Sequence, residues 1–137
     1  MRAFTDEWAR AWCATLNGSE TYREVAANWE GSVALVVRES ADQQPLGAVF
    51  LDLWHGECRG AREALAADLD AAAFVLEARP AAWRAVLEGR QAPLMALMTG
   101  QVRLARGELS ALVPHAGSAR ELLRLVGEVA TEFPDDW

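Results

Sequence analysis

The 137 residues are the length of one domain, and with 52% of them hydrophobic the chain can bury a substantial core. A formal net charge of −7 disfavours the basic face needed to neutralise phosphates, so a nucleic-acid partner is not expected, and it weakens attraction to anionic lipid head groups. All 13 cationic side chains are Arg, and the absence of Lys excludes Schiff-base chemistry and a lysine-dependent phosphate loop.

Thr5 can cap a first helix, with Asp6 and Glu7 well placed against its dipole. Phe4, Trp8, Trp12 and Leu16 recur every four residues as an aromatic stripe. Asn17-Gly18 stops that helix, and Ser19 can cap a second over 20–28. Gly31 leads into SVALVVR, where Val33, Leu35 and Val37 face one way and Ala34 and Val36 the other, so both faces read as buried. Asp42-Gln-Gln-Pro45 is a turn before a second strand over 46–54. In that strand Val49, Leu51 and Leu53 oppose Ala48, Phe50, Asp52 and Trp54. His55-Gly56 turns into a polar third strand over 57–63, whose Arg59 and Arg62 suit a sheet edge. Asp68 and Asp70 read as a loop, and Phe74 and Leu76 as the buried positions of a fourth strand over 71–79.

Pro80 can open a helix at its first position and Gly89 can close it in a left-handed conformation; Pro93 and Gly100 bracket a second helix the same way. Trp83, Val86 and Leu87 share one face of the first. Leu94, Met95, Leu97 and Met98 make the second apolar almost all round, which suits burial or the lining of a cavity. A fifth strand follows over 101–106, then a helical turn at Leu109, Leu112 and Val113. Ser118-Ala-Arg-Glu121 reads as a capping box for a last helix over 119–131, with Leu122, Leu125, Val126 and Val129 on its apolar face. The whole is an α+β pattern in a single domain over 1–137. Helices occupy 1–30, a four-strand meander 31–79, and a helix-helix-strand-helix unit 80–137.

The stretch Trp83–Gly107, WRAVLEGRQAPLMALMTGQVRLARG, resembles the C-terminal half of the sterol carrier protein 2 (SCP-2) family: a helix that ends in Gly, a short Pro-started apolar helix, then Gly and an edge strand. The resemblance extends over about residues 31–129. It implies an SCP-2-like fold, a five-stranded, mostly antiparallel sheet covered by helices, and an apolar tunnel that holds a lipid, such as a fatty acid or acyl-CoA, without catalysis. The tunnel would lie between one sheet face and the helices at 80–99 and 119–131. Its candidate lining is Phe50, Trp54, Phe74, Leu76, Trp83, Val86, Leu87, Leu94, Met95, Leu97, Met98, Leu122, Leu125 and Val126. Met side chains adapt to irregular apolar shapes, which would let such a site accept varied chains. The N-terminal helix has as many acids as bases, unlike the basic amphipathic helix with which membrane-binding members dock.

Other readings stay open beside this one. The same apolar helices could be a filled core in an interaction or dimerisation module, with the Trp8/Trp12 helix or a sheet edge meeting a partner or second copy. His55-Gly-Glu-Cys58 brings a potential ligand pair near a carboxylate, but a zinc site needs three or four convergent ligands, so no metal or cofactor is expected. Cys58 or Asp52 could serve a small enzyme. Alternatively Asp52, set among apolar residues, is exposed or pairs with an Arg of a neighbouring strand, such as Arg38 or Arg79. Of the six Trp residues, Trp54 and Trp83 suit a cavity wall, Trp8, Trp12 and Trp29 suit either core or interface, and Trp137 is expected to be loose. Cys13 and Cys58 form no disulfide framework, the N-terminus does not read as a signal peptide, and the C-terminal Pro-Asp-Asp-Trp is no peroxisomal address. The expectation is a cytoplasmic protein with no integral membrane association. Its richness in Ala, Arg, Leu and Gly points to a GC-rich bacterial genome.

Overall fold

In a computed structural model that describes residues 1–137, the chain begins with a capped helix. Thr5 Oγ1 accepts from the Trp8 N–H at 3.3 Å and starts α1 (Asp6–Asn17). Ser19 Oγ accepts from the Tyr22 N–H at 3.0 Å and starts α2 (Glu20–Val25). This second helix is shorter than the periodicity predicts. The backbone turns after Val25 so that Trp29 enters the core, where its Nε1 donates to Gly31 O at 2.9 Å.

Five strands follow: β1 (Val33–Val37), β2 (Gly47–Trp54), β3 (Glu57–Glu63), β4 (Phe74–Ala78) and β5 (Val102–Arg106). Their order in the sheet is β3-β2-β1-β4-β5, and every pairing is antiparallel except β1 with β4. The predicted four-strand meander therefore stops at three. A parallel neighbour needs a crossover, and the chain supplies one through α3 (Ala66–Ala71), in the segment read as a loop. Asp68 organises that helix: its Oδ2 accepts from the Leu65 N–H at 2.9 Å and its Oδ1 from Arg62 Nη2 at 2.6 Å. It is therefore a capping carboxylate within a helix and not a loop residue.

After β4 come α4 (Pro80–Leu87) and α5 (Pro93–Met98), each with Pro at its first position. Each segment turns in a left-handed glycine, Gly89 and Gly100, both at φ +79°. Beyond β5 lie α6 (Leu109–Leu112), a 3-10 turn (Val113–His115), α7 (Ala116–Arg124) and a second 3-10 turn (Leu125–Glu128). The predicted capping box does not form. Helix α7 begins before Ser118, whose Oγ donates to His115 O at 3.0 Å, while Glu121 pairs with Arg124. The final helix also stops short of Thr131, because the chain there pairs with the N-terminus: the Ala3 N–H donates to Glu132 O at 3.0 Å and the Glu132 N–H to Met1 O at 2.7 Å. Nor is Trp137 loose; its ring lies 5.7 Å from that of Phe4 and 6.1 Å from that of Phe133.

The pleat divides the interior. Val33, Leu35, Val37, Val49, Leu51, Leu53, Phe74, Ala78 and Val102 face a core of 27 buried residues shared with α1, α2, α4, α5 and α7. Ala34, Val36, Ala48, Phe50 and Val75 face the other way, into a cluster of six buried residues covered by α3. Both faces of β1 are thus buried, as its unbroken apolar run predicts.

Candidate functional site

On the larger face the packing is incomplete at one end. A cavity of about 90 Å³ lies between the sheet and the helices. Its floor is Val33 and Leu35 of β1, Leu53 of β2, Leu76 of β4 and Val102 of β5. Its walls are Trp83 and Val86 of α4, together with Tyr22 and Trp29. Pro93, Leu94 and Leu97 of α5 cover it, with Leu112, His115, Ala116, Ser118, Ala119, Leu122 and Leu123 from the α6–α7 segment. Ala96, fully buried at the middle of α5, brings that short helix close to its neighbours.

The polar atoms of the wall are mostly spoken for. Trp83 Nε1 donates to Val36 O at 2.8 Å, reaching the backbone of the central strand, and Trp29 Nε1 is held by Gly31 O. Burial pushes the Tyr22 phenol well above the usual tyrosine range, so it stays neutral. The surroundings therefore offer an apolar chain a dry wall.

Leu76, Trp83, Val86, Leu94, Leu97 and Leu122 line the cavity. Phe74, Leu87, Leu125 and Val126 are buried in the same core but do not line it; Phe74 backs the wall, with its ring 5.1 Å from that of Trp29. Phe50 and Trp54 are elsewhere, because the strand period of two turns them to the opposite face. Phe50 lies under the Arg62 guanidinium and Trp54, half exposed, under that of Arg59. Met95 and Met98 point outward, 51% and 66% exposed. An all-round apolar helix of six residues cannot bury every face against one core.

Alternation places Val33 and Leu35 on one face of β1 and Leu53 on the face of β2 opposite Phe50 and Trp54, but the candidate lining takes the Phe50 face. The alignment of Val33 and Leu35 beside Leu76 follows once β1 and β4 are parallel neighbours. Tyr22, Trp29, Leu112, His115 and Leu123 carry no such signal, because they reach the cavity through the packing of separate helices and loops.

The other chemistry-bearing residues are apart from this space. Asp52 pairs with Arg59 at 2.9 Å, on the neighbouring strand as expected but not with Arg38 or Arg79. Arg38 pairs instead with Glu77. His55 Nε2 lies 2.6 Å from Glu30 on the surface, while Cys58 is buried beneath α1 with its thiol donating to Gly60 O at 3.4 Å, so the two do not share a site. Burial and the neighbouring Cys13 push the Cys58 thiol far above the ordinary range, which leaves it a poor nucleophile.

This arrangement of sheet, paired Pro-started helices and apolar hollow has a family counterpart. Residues 11–108 match the SCP-2 sterol transfer family. The chain belongs to that family. Two solved SCP-2-type structures are alike in sequence as well as fold. A sterol carrier protein 2 crystal structure is 48% identical, with a TM-score of 0.83 over 93% of this chain and 99% of that one. A conserved hypothetical protein from Thermus thermophilus, described as a candidate sterol carrier protein, is 50% identical, with a TM-score of 0.82 over 94% of this chain and 90% of that one. The apo form of sterol carrier protein 2 from Yarrowia lipolytica shares the fold at 13% identity, with a TM-score of 0.58 over 88% and 87% of the two chains. Among curated proteins nothing matches the chain. No helix is long and apolar enough to cross a membrane.

Proposed function

We propose that this protein binds and carries a lipid, most simply a single fatty acyl chain, in the hollow between the sheet and α5–α7, and that it acts by binding and not by catalysis. The observation that carries the reading is the cavity itself: 16 of its 19 lining residues are hydrophobic, in a protein of the SCP-2 family. Each methylene moved from water into such a space contributes about 0.8 kcal/mol, so a long chain binds tightly with few polar contacts.

The volume sets a condition on this mechanism. About 90 Å³ is less than the ~150 Å³ in which an apolar cavity accommodates one benzene, so a long chain requires the roof to move. Helix α5 has six residues and α6 four, and both carry exposed apolar side chains, among them Met98 and Leu109. Short elements with little buried surface open at low free-energy cost. Loading by displacement of α5 and α6 would leave the rest of the core closed.

Native mass spectrometry of the freshly purified protein, followed by solvent extraction, tests the proposal. A lipid bound at near one-to-one supports it. A clean apo mass, with no thermal stabilisation by a panel of fatty acids and acyl-CoAs, overturns it. A second reading has one observation in its favour: as it stands the cavity is small and Met95 and Met98 are exposed, as in an interaction or dimerisation module with a filled core. A tight homodimer in light scattering, together with that clean mass, would establish it.

A further inference from the structure

We propose that His115 recognises the acidic head group of the ligand, so that the site prefers a free carboxylate to its ester. The inference rests on the lipid-binding reading above and adds the class of head group. Of the 19 residues around the cavity, only Pro93, His115 and Ser118 are not hydrophobic. Pro has no side-chain donor, and the Ser118 hydroxyl is already used, donating to the His115 carbonyl at 3.0 Å.

The His115 imidazole is different. Its backbone carbonyl takes the Ser118 bond and its ring stands edge-on against Trp29, with centroids 5.1 Å apart at 81°. Neither ring nitrogen meets a partner within the chain, and the residue is half-buried, between the apolar space and solvent. A His ring always presents at least one N–H donor, and here Trp29 restricts the plane in which it points.

The chemistry of an acyl ligand selects this place. A carboxylate drawn into the apolar interior without a donor would be strongly disfavoured, so the head must stay where a hydrogen bond and water both reach it. Tyr22 also carries a hydroxyl without a partner, but the residue is only 2% exposed, so His115 is the lining residue that offers both a free donor and contact with solvent. A hydrogen bond to a charged acceptor is stronger than one to a neutral ester oxygen, so the acid gains over the ester.

The test measures binding of hexadecanoic acid, its methyl ester and hexadecanoyl-CoA by isothermal titration to the intact protein and to His115→Phe and His115→Gln. Phe preserves the contact with Trp29 and removes the donor; Gln restores a donor. The expected result is a preference for the acid over the methyl ester of about tenfold or more in the unaltered protein, lost in His115→Phe and partly recovered in His115→Gln. Ester affinity should change little, which separates loss of recognition from loss of fold. Acid and ester binding equally well, or His115→Phe keeping the full preference, would overturn the role of His115 while leaving lipid binding in place. Tighter binding of the CoA thioester than of the free acid would overturn the carboxylate assignment in favour of a phosphate-bearing head. Failure of all three ligands to bind the unaltered protein would remove the lipid-binding reading and this one with it.

Discussion

Trp8 and Leu97 belong to one core but to opposite ends of it. Around Trp8 the packing is dense and aromatic, with the rings of Phe4 and Trp12 5.3 Å and 5.2 Å away, and the indole Nε1 donates to Thr131 Oγ1 at 3.0 Å. Around Leu97 the side chains come from short helices and leave a cavity. The difference lies in how the elements are tied. Helix α1 has twelve residues and lies along the sheet at β3 and β2, whereas α5 has six and is anchored by Ala96 and its inner leucines. One end is densely packed, and the other has the short, lightly anchored elements that the proposed loading of a lipid requires.

Substitutions at the two ends should separate these properties. The largest effect belongs to Trp8→Ala, which empties a fully buried site and leaves the Thr131 hydroxyl without its donor. It should cost about 3–5 kcal/mol in urea denaturation, while the fraction that remains folded binds fatty acid as before. If Trp8→Ala abolished binding at a temperature where the protein is folded without denaturant, the two ends would not be independent. Leu97→Trp should do the reverse. By filling the cavity it should weaken fatty-acid affinity by about tenfold or more while the urea midpoint changes little. Undiminished binding would place the ligand elsewhere.

A third test concerns α3 on the opposite sheet face. Hydrogen bonds from Arg62 and then from the Leu65 N–H hold the Asp68 carboxyl below the usual carboxylate range. Its folded pKa is therefore lower than its unfolded value of about 3.9. The stabilisation is complete above that unfolded value and is lost as the pH falls through the folded one. Asp68→Asn should accordingly be less stable than its parent at neutral pH, with the gap closing in acid below about pH 4. Thermal melts from pH 7 to pH 2 check this, and a constant gap would mean that Asp68 acts only as a neutral cap. The smallest change belongs to Met98→Gln at the exposed rim of α5, within about 0.5 kcal/mol of the parent stability. A clearly larger loss would show that Met98 is buried in the populated state.

Much of this architecture was legible in the residues. Thr5 and Ser19 cap their helices as read, and Pro80, Gly89, Pro93 and Gly100 bracket α4 and α5, because caps and left-handed turns depend on a few adjacent dihedral angles. The two faces of β1 and β2 were legible for a similar reason: side chains alternate whatever the sheet's topology. The spacing at Ser118 misleads because a capping box and an ordinary turn inside a longer helix share it, once Val113–His115 continues into that helix.

The cavity required the tertiary structure. Phe50 and Trp54 are as apolar as Leu53, yet only the side of the sheet that α4–α7 cover makes Leu53 a wall residue and leaves the other two outside. Met95 and Leu94 are adjacent in the chain and alike in character, and the orientation of α5 alone separates the exposed one from the lining one. Local sequence determined the starts of α1, α2, α4 and α5 and which strand residues share a face, since those follow from short-range sterics and periodicity. The parallel pairing of β4 with β1, the meeting of Trp29 with His115, and the hollow beneath α5 were decided by non-local packing, in which volumes from distant segments either fill the space between layers or leave it open.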